Sequence, residues 1–181
     1  MAKDWLVGDS REDQARERLY TLASDLMAAR GVDGMDVNEL ARRAHCSRAT
    51  VYRHVGGKSA IVEAVLSRRA SEMVATVAAA AEGLDGKDRI AAVMGMALER
   101  VRSDGIARQF LDPRHVAGTA ASVVGSPTVL AIAGQLLGDS AGDTAKASVA
   151  VRSVLDLLLW PAADRAEEAA VIDVVAGALA A

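Results

Sequence analysis

The chain has 181 residues, 51% hydrophobic and 25% charged, with 15 Gly, 3 Pro and a formal net charge of −3, a profile that excludes disordered, collagenous and mucin-like chains. Its one cysteine, Cys46, closes no intramolecular disulfide, no run reaches the ~18 apolar residues of a membrane span, and the N-terminus lacks the pattern of a secretory signal, so a cytoplasmic protein is expected. The 38 alanines, set against five aromatic residues (Trp5, Tyr20, Tyr52, Phe110, Trp160), favour helix over strand and predict an all-α fold of about nine helices.

Residues 1–11 read as an N-terminal arm. Ala15, Leu19, Leu22, Ala23, Leu26 and Met27 then recur at helical spacing, which predicts a first helix over about 12–30, opened near Ser10 and closed by Gly31 in the left-handed conformation. Asp36 with Glu39 forms an acidic capping box, and Met35 with Leu40 a hydrophobic staple, at the start of a short second helix. Val37, Leu40, Ala41 and Ala44 face inward on it, and it stops at His45-Cys46. Ser47 caps a third helix that runs to about Val55. A short helix, a three-residue turn and a second short helix have the spacing of a helix-turn-helix, within a three-helix head over 12–57.

Charge supports that reading. Residues 1–35 carry a net −2, 36–72 a net +3 and 73–181 a net −4. Between Leu40 and Lys58 stand Arg42, Arg43, Arg48, Arg53 and Lys58 with no carboxylate, a confined basic face on an acidic protein. At about 100° per residue, Val51 and Val55 fall on the buried side of the third helix, within about 40° of each other. Ala49, Arg53 and Thr50 then point away from the core towards base edges, while Tyr52 and His54 fall on the flanks, within reach of phosphates. Gly56 and Gly57 end the helix, and Lys58 opens the next.

The run Leu40-Ala41-Arg42-Arg43-Ala44-His45-Cys46-Ser47-Arg48-Ala49-Thr50-Val51-Tyr52-Arg53-His54-Val55-Gly56-Gly57-Lys58 resembles the DNA-binding segment of the TetR/AcrR family of transcriptional regulators. The resemblance covers about residues 12–66 and implies that Thr50, Tyr52, His54 and Lys58 bind phosphate, and that Asn38, Arg48, Ala49 and Arg53 lie at or near bases. It also implies a homodimer on a pseudo-palindromic operator, a repressor role and release by a small-molecule effector. Three positions depart from the family pattern: Asp36 stands for its usual Thr, His45 for its turn glycine, and the arm has no basic cluster. Fewer backbone contacts than is usual in the family are therefore expected, with no minor-groove reading by the arm. His45 is expected as an exposed turn residue, because histidine visits positive φ more readily than most.

Residues 58–181 read as a C-terminal ligand-binding and dimerisation body, with helices at about 58–81, 88–104, 106–111, 113–123, 127–138, 143–160 and 164–180. Pro113, Pro127 and Pro161 punctuate them, and Asp164 with Glu167 repeats the capping-box pattern. Met73, Met94, Val101, Phe110, Leu155 and Trp160 are candidate walls of an effector cavity, with Arg108, Gln109, His115 and Arg152 as polar candidates. The last two helices are apolar around much of their circumference, which marks Val151, Leu158, Val171 and Val175 as candidates for a dimer interface. His45, His54 and His115 are too scattered for a metal site, no cofactor motif is present, and no nucleophile or paired-acid constellation marks an enzyme. An all-helical enzyme or small-molecule carrier with a vestigial helix-turn-helix is the alternative, as is a helical scaffold using its apolar terminal helices.

Overall fold

The computed structural model describes residues 5–111, 121, 123–138 and 143–181. Among the described residues there are eight α-helices and no strand: α1 (Trp5–Arg30), α2 (Val37–Arg43), α3 (Arg48–Val55), α4 (Lys58–Ala80), α5 (Gly86–Ser103), α6 (Pro127–Leu137), α7 (Thr144–Leu159) and α8 (Arg165–Ala180). A 3₁₀ segment spans Ala107–Leu111. The all-α expectation holds. His115 and most of the helix expected over 113–123 lie outside the described residues. The chain divides into two compact units, one reaching Ala70 and the other starting at Ser71.

In the first unit α1 begins at Trp5, so most of the stretch expected as an arm is helix. Gly8 is the only breaker in its first two turns; one interior glycine costs about 1 kcal/mol and does not stop a helix that already propagates through the following residues. The helix ends as expected at Gly31, whose φ is 83° and whose N–H donates to Met27 O at 2.9 Å. Leu19, Ala23, Leu26 and Met27 of α1 meet Met35, Val37, Leu40 and Ala41 around α2, and Val51 and Val55 of α3, in a buried core. Ile61 and Val65 of α4 are buried as well, Arg68 binds Glu17 of α1, and Arg69 donates to Ser24 Oγ at 2.7 Å. The unit therefore runs past the boundary expected at Lys58.

Caps fix the short helices. Asp36 Oδ1 accepts from the Asn38 and Glu39 amides at 2.7 and 2.9 Å, satisfying two orphan donors of α2. Glu39 does not complete the box; its carboxylate is held by arginines. At the other end His45 N–H donates to Arg42 O at 3.2 Å and Cys46 N–H to Ala41 O at 3.0 Å, the bond pair of a Schellman motif. That motif puts its first residue beyond the cap in the left-handed region, and His45 sits there at φ 53°, the one non-glycine with positive φ among the described residues. The expected exposed turn histidine is observed.

In the second unit α5 is the central element, packing on α6, α7 and α8, while α7 packs on both α6 and α8. The core combines Val77 and Ala81 at the end of α4 with Ile90, Val93, Met94 and Leu98 of α5, Leu137, Ala150, Leu157, Ile172, Ala176 and Leu179. Polar bonds pin its rim: Arg89 Nε donates to Leu136 O at 2.8 Å, Lys87 pairs with Asp173 at 2.6 Å, and Arg102 pairs with Glu168 at 2.6 Å. Ser126 caps α6 with Pro127 in its first turn, and Gly138 ends it at φ 81°. At α8, Asp164 accepts from Glu167 N at 2.8 Å while Glu167 accepts from Ala163 N at 2.6 Å, a reciprocal box displaced by one residue.

A left-handed L-residue costs roughly 1 kcal/mol that glycine avoids, less glycine's larger loss of chain entropy on folding. His45→Gly is therefore expected to raise stability by about 0.5–1 kcal/mol in urea denaturation at neutral pH. A lowered midpoint would show that the imidazole holds the turn.

Candidate nucleic-acid interface

The geometry of the head starts from α3, whose two valines leave it one rotational setting. Val51 is 0% exposed and Val55 5%, so the opposite face must meet solvent. Ala49, Tyr52 and Arg53 are exposed there, with Tyr52 at 45%, and Arg48 is exposed beside them. Thr50 and His54 are half-buried on one flank. Ser47 Oγ accepts from Thr50 N at 3.1 Å and bonds Thr50 Oγ1 at 2.9 Å, so the cap fixes Thr50 in the first turn.

Arg48, expected near bases, leans on Tyr52. Its Nη2 donates to Tyr52 Oη at 3.1 Å, and its guanidinium carbon lies 5.3 Å from the ring centroid. The two form a cationic, hydroxyl-bearing flank opposite Thr50 and His54. Arg53 reaches His54 Nε2 at 3.5 Å, and Arg16 of α1 donates to His54 O at 3.2 Å. Lys58, the first residue of α4, donates to Asp33 O at 2.6 Å. That bond ties the turn before α2 to the start of α4 and uses one of three ammonium donors, leaving the others for an outside acceptor. Asn38 is exposed in the first turn of α2. Gly57 lies beside Tyr52, where a Cβ would make an ordinary contact with the ring at 3.4 Å.

The basic face is narrower than the sequence window suggests. Glu39, one residue before that window, binds Arg42 and Arg43 and lies 3.8 Å from Arg30. Hydrogen bonds from Arg42 and then Arg43 hold its carboxyl below the usual carboxylate range. The arginines without such a carboxylate are Arg48 and Arg53, and these flank the exposed face of α3.

In the second unit the candidate effector residues separate. Met94 is 1% exposed within the core, Met73 is half-buried against it, and Val101 and Leu155 are half-buried. Trp160 caps α7 and is 69% exposed, and the side chain of Phe110 lies outside the described ones. Arg108 and Arg152 are exposed, and Gln109 is half-buried. Sequence reasoning missed Arg100, whose Nε is buried without a hydrogen-bond partner. Its position seven residues after buried Val93, on the inward stripe of α5, is the signal that marks it. Among the dimer candidates, Leu158 and Val175 pack partly on the unit's own core, Val151 is half-buried, and Val171 is 36% exposed. Val174, 71% exposed, was missed; it lies about 200° round the helix from buried Ile172. Among the described residues no group of three or more His, Cys, Asp or Glu could hold a metal, and no helix is long and apolar enough to cross a membrane.

Comparison with known proteins meets this geometry. The family model described as bacterial regulatory proteins, tetR family, matches residues 19–65, from the middle of α1 into α4. An HTH-type transcriptional regulator of Mycobacterium tuberculosis is 27% identical over 177 residues, spanning 93% of this chain and 86% of the relative. The HTH-type transcriptional regulator SrpR of Pseudomonas putida is 33% identical over 57 residues, 32% of this chain and 27% of its own. The solved structure of the TetR family repressor AlkX from a Dietzia strain, implicated in biodegradation of n-alkanes, shares the fold with a TM-score of 0.57 at 16% identity, covering 91% of this chain and 94% of its own. A TetR-like transcriptional regulator from Rhodococcus sp. RHA1 does so with a TM-score of 0.56 at 19% identity, covering 90% and 93%.

Proposed function

We propose that this chain, which belongs to the TetR family of bacterial transcriptional regulators and is a DNA-binding regulator, acts in the cytoplasm as a homodimeric repressor released by a small apolar or amphipathic effector. The observation that carries the reading is the setting of α3: its two valines are buried and Ala49, Tyr52 and Arg53 stand out from the head. An exposed alanine lets a helix approach the floor of a major groove closely, and the arginine beside it has the fork that matches guanine O6 and N7. In this reading Arg53 and Ala49 meet bases, with Arg48 and Asn38 close by, while Thr50, Tyr52, His54 and Lys58 meet phosphates.

Exposed apolar area supports the homodimer. Of the five large hydrophobic residues that stand exposed among the described ones, Val149, Trp160, Val171 and Val174 all lie on α7, α8 or the junction between them. A matching surface on a second copy removes that area from water, at roughly 25 cal/mol per Å². Val151, Leu158 and Val175 then border the contact, and two copies of α3 reach successive major grooves of a pseudo-palindromic site. For the effector, the unpartnered Arg100 Nε favours a ligand that carries a hydrogen-bond acceptor beside its apolar part. Release is then a linkage effect: an effector that favours a head spacing mismatched to the half-sites weakens DNA binding by its differential affinity.

On an operator selected from random duplexes, Arg53→Ala is expected to lose roughly 1–3 kcal/mol of affinity and to lose base preference, whereas Tyr52→Phe and Lys58→Ala weaken selected and random duplexes alike. Equal losses on both duplexes for Arg53→Ala would remove that residue from the bases. Val174→Asp is expected to convert a dimer into a monomer in light scattering with the helix content unchanged; an unaltered dimer would place the contact elsewhere.

A further inference from the structure

We infer that a cleft between α1 and α3 in the first unit is a phosphate seat that grips a backbone phosphodiester of the bound DNA, in addition to the contacts assigned to α2, α3 and α4. The inference rests on the DNA-binding reading above and adds α1 to the surface that the duplex meets.

The cleft has a volume of about 360 Å³, ample for a solvated phosphodiester. Arg11, Gln14 and Arg18 line one side, at helical spacing along a single face of α1, and Thr50 and His54 of α3 line the other. Among the described residues no carboxylate lines it. Of the neighbouring acids of α1, Asp13 lies 3.8 Å from Arg16 and Glu17 binds Arg68. The arginines of the head show the same division. Arg16, Arg30, Arg42, Arg43, Arg48, Arg53, Arg68 and Arg69 each have a partner within the head. Arg11 and Arg18 have none among the described residues. Two guanidinium groups with no partner among the described residues therefore line a recess, bordered by no described carboxylate, on the flank of the recognition helix.

That arrangement suits an oxyanion. Guanidinium presents paired N–H donors that match two phosphate oxygens, Gln14 and Thr50 add neutral donors, and the His54 imidazole lies on the opposite wall. The position argues for the DNA backbone as the source of the phosphate, because Thr50 and His54 lie on the same flank that α3 turns to a groove wall. The acidic composition of residues 1–35, net −2, hides the site from any count of charge along the sequence. Helical geometry turns Asp13 and Glu17 to the side of α1 away from the two arginines.

The test uses the full chain, with fluorescence anisotropy on a random-sequence duplex and on a selected one across a salt series. R11Q/R18Q is expected to reduce the slope of log affinity against log salt by about 1 per head, and to weaken both duplexes about equally. R11K/R18K, which keeps the charge, is expected to restore the slope, and the single R18Q to give an intermediate value. Both side chains are exposed, so the thermal midpoint should stay at the wild-type value. Wild-type slope and affinity in R11Q/R18Q would overturn the phosphate seat and leave the regulator reading intact. Absence of any salt-dependent binding by the wild type would overturn both. A titration with inorganic phosphate at constant ionic strength separates the two sources of the anion. Displacement of DNA from the wild type but not from R11Q/R18Q would assign the cleft to a free anion and overturn the backbone assignment.

Discussion

Burial of Val51 and Val55 is the constraint on which the rest of the head depends. The two residues lie one helical turn apart, and with both against the core formed by Leu19, Leu26, Met27 and Leu40, α3 has no freedom to roll about its axis. An eight-residue helix has little stability of its own, so this packing and the Ser47 cap supply what propensity cannot. The consequence is geometric. Side chains on the far side of the helix stand away from the protein, held by a core that contains no buried polar group among the described residues.

Electrostatics refines that surface. A protein with a net charge of −3 repels DNA at long range, so approach depends on a confined positive face. Glu39 gathers Arg42, Arg43 and Arg30 on the outer side of α2, Tyr52 orders Arg48, and Asp33 O anchors Lys58. Exposed pairs of this kind contribute little stability. Their effect is positional: they fix several cations at set points and reduce the positive field outside the face of α3. Asp36, a residue that repels phosphate, is engaged as the cap of α2 through the Asn38 and Glu39 amides.

Local signals made much of this legible. Gly31, Ser47, Gly56 and Pro127 mark helix ends by backbone chemistry that does not depend on the rest of the fold, and each stands where the sequence places it. The inward faces of α2 and α3 follow from apolar spacing alone. What depends on tertiary contact was harder to read. The extension of α1 back to Trp5 depends on helix propagation through Gly8, and the stretch from Lys58 to Ala70 joins the head through Arg68 and Arg69, whose partners Glu17 and Ser24 lie 51 and 45 residues away in sequence. Arg48 falls to the side on a helical wheel, and its pairing with Tyr52 is a matter of side-chain reach that the wheel does not carry. In the second unit an apolar composition spread over α7 and α8 does not distinguish residues that pack internally, such as Leu158 and Val175, from those left outside, such as Val174. Only the rotation of each helix against α5 separates them.

The claim that α3 enters the major groove twice through a two-fold pair is tested most directly by dimethyl sulfate footprinting of a selected operator. Guanine N7 lies in the major groove, so the account predicts protection in two half-sites whose centres are about one helical turn, or a whole number of turns, apart. Binding that leaves every guanine N7 reactive, or that protects a single unpaired half-site, would contradict it.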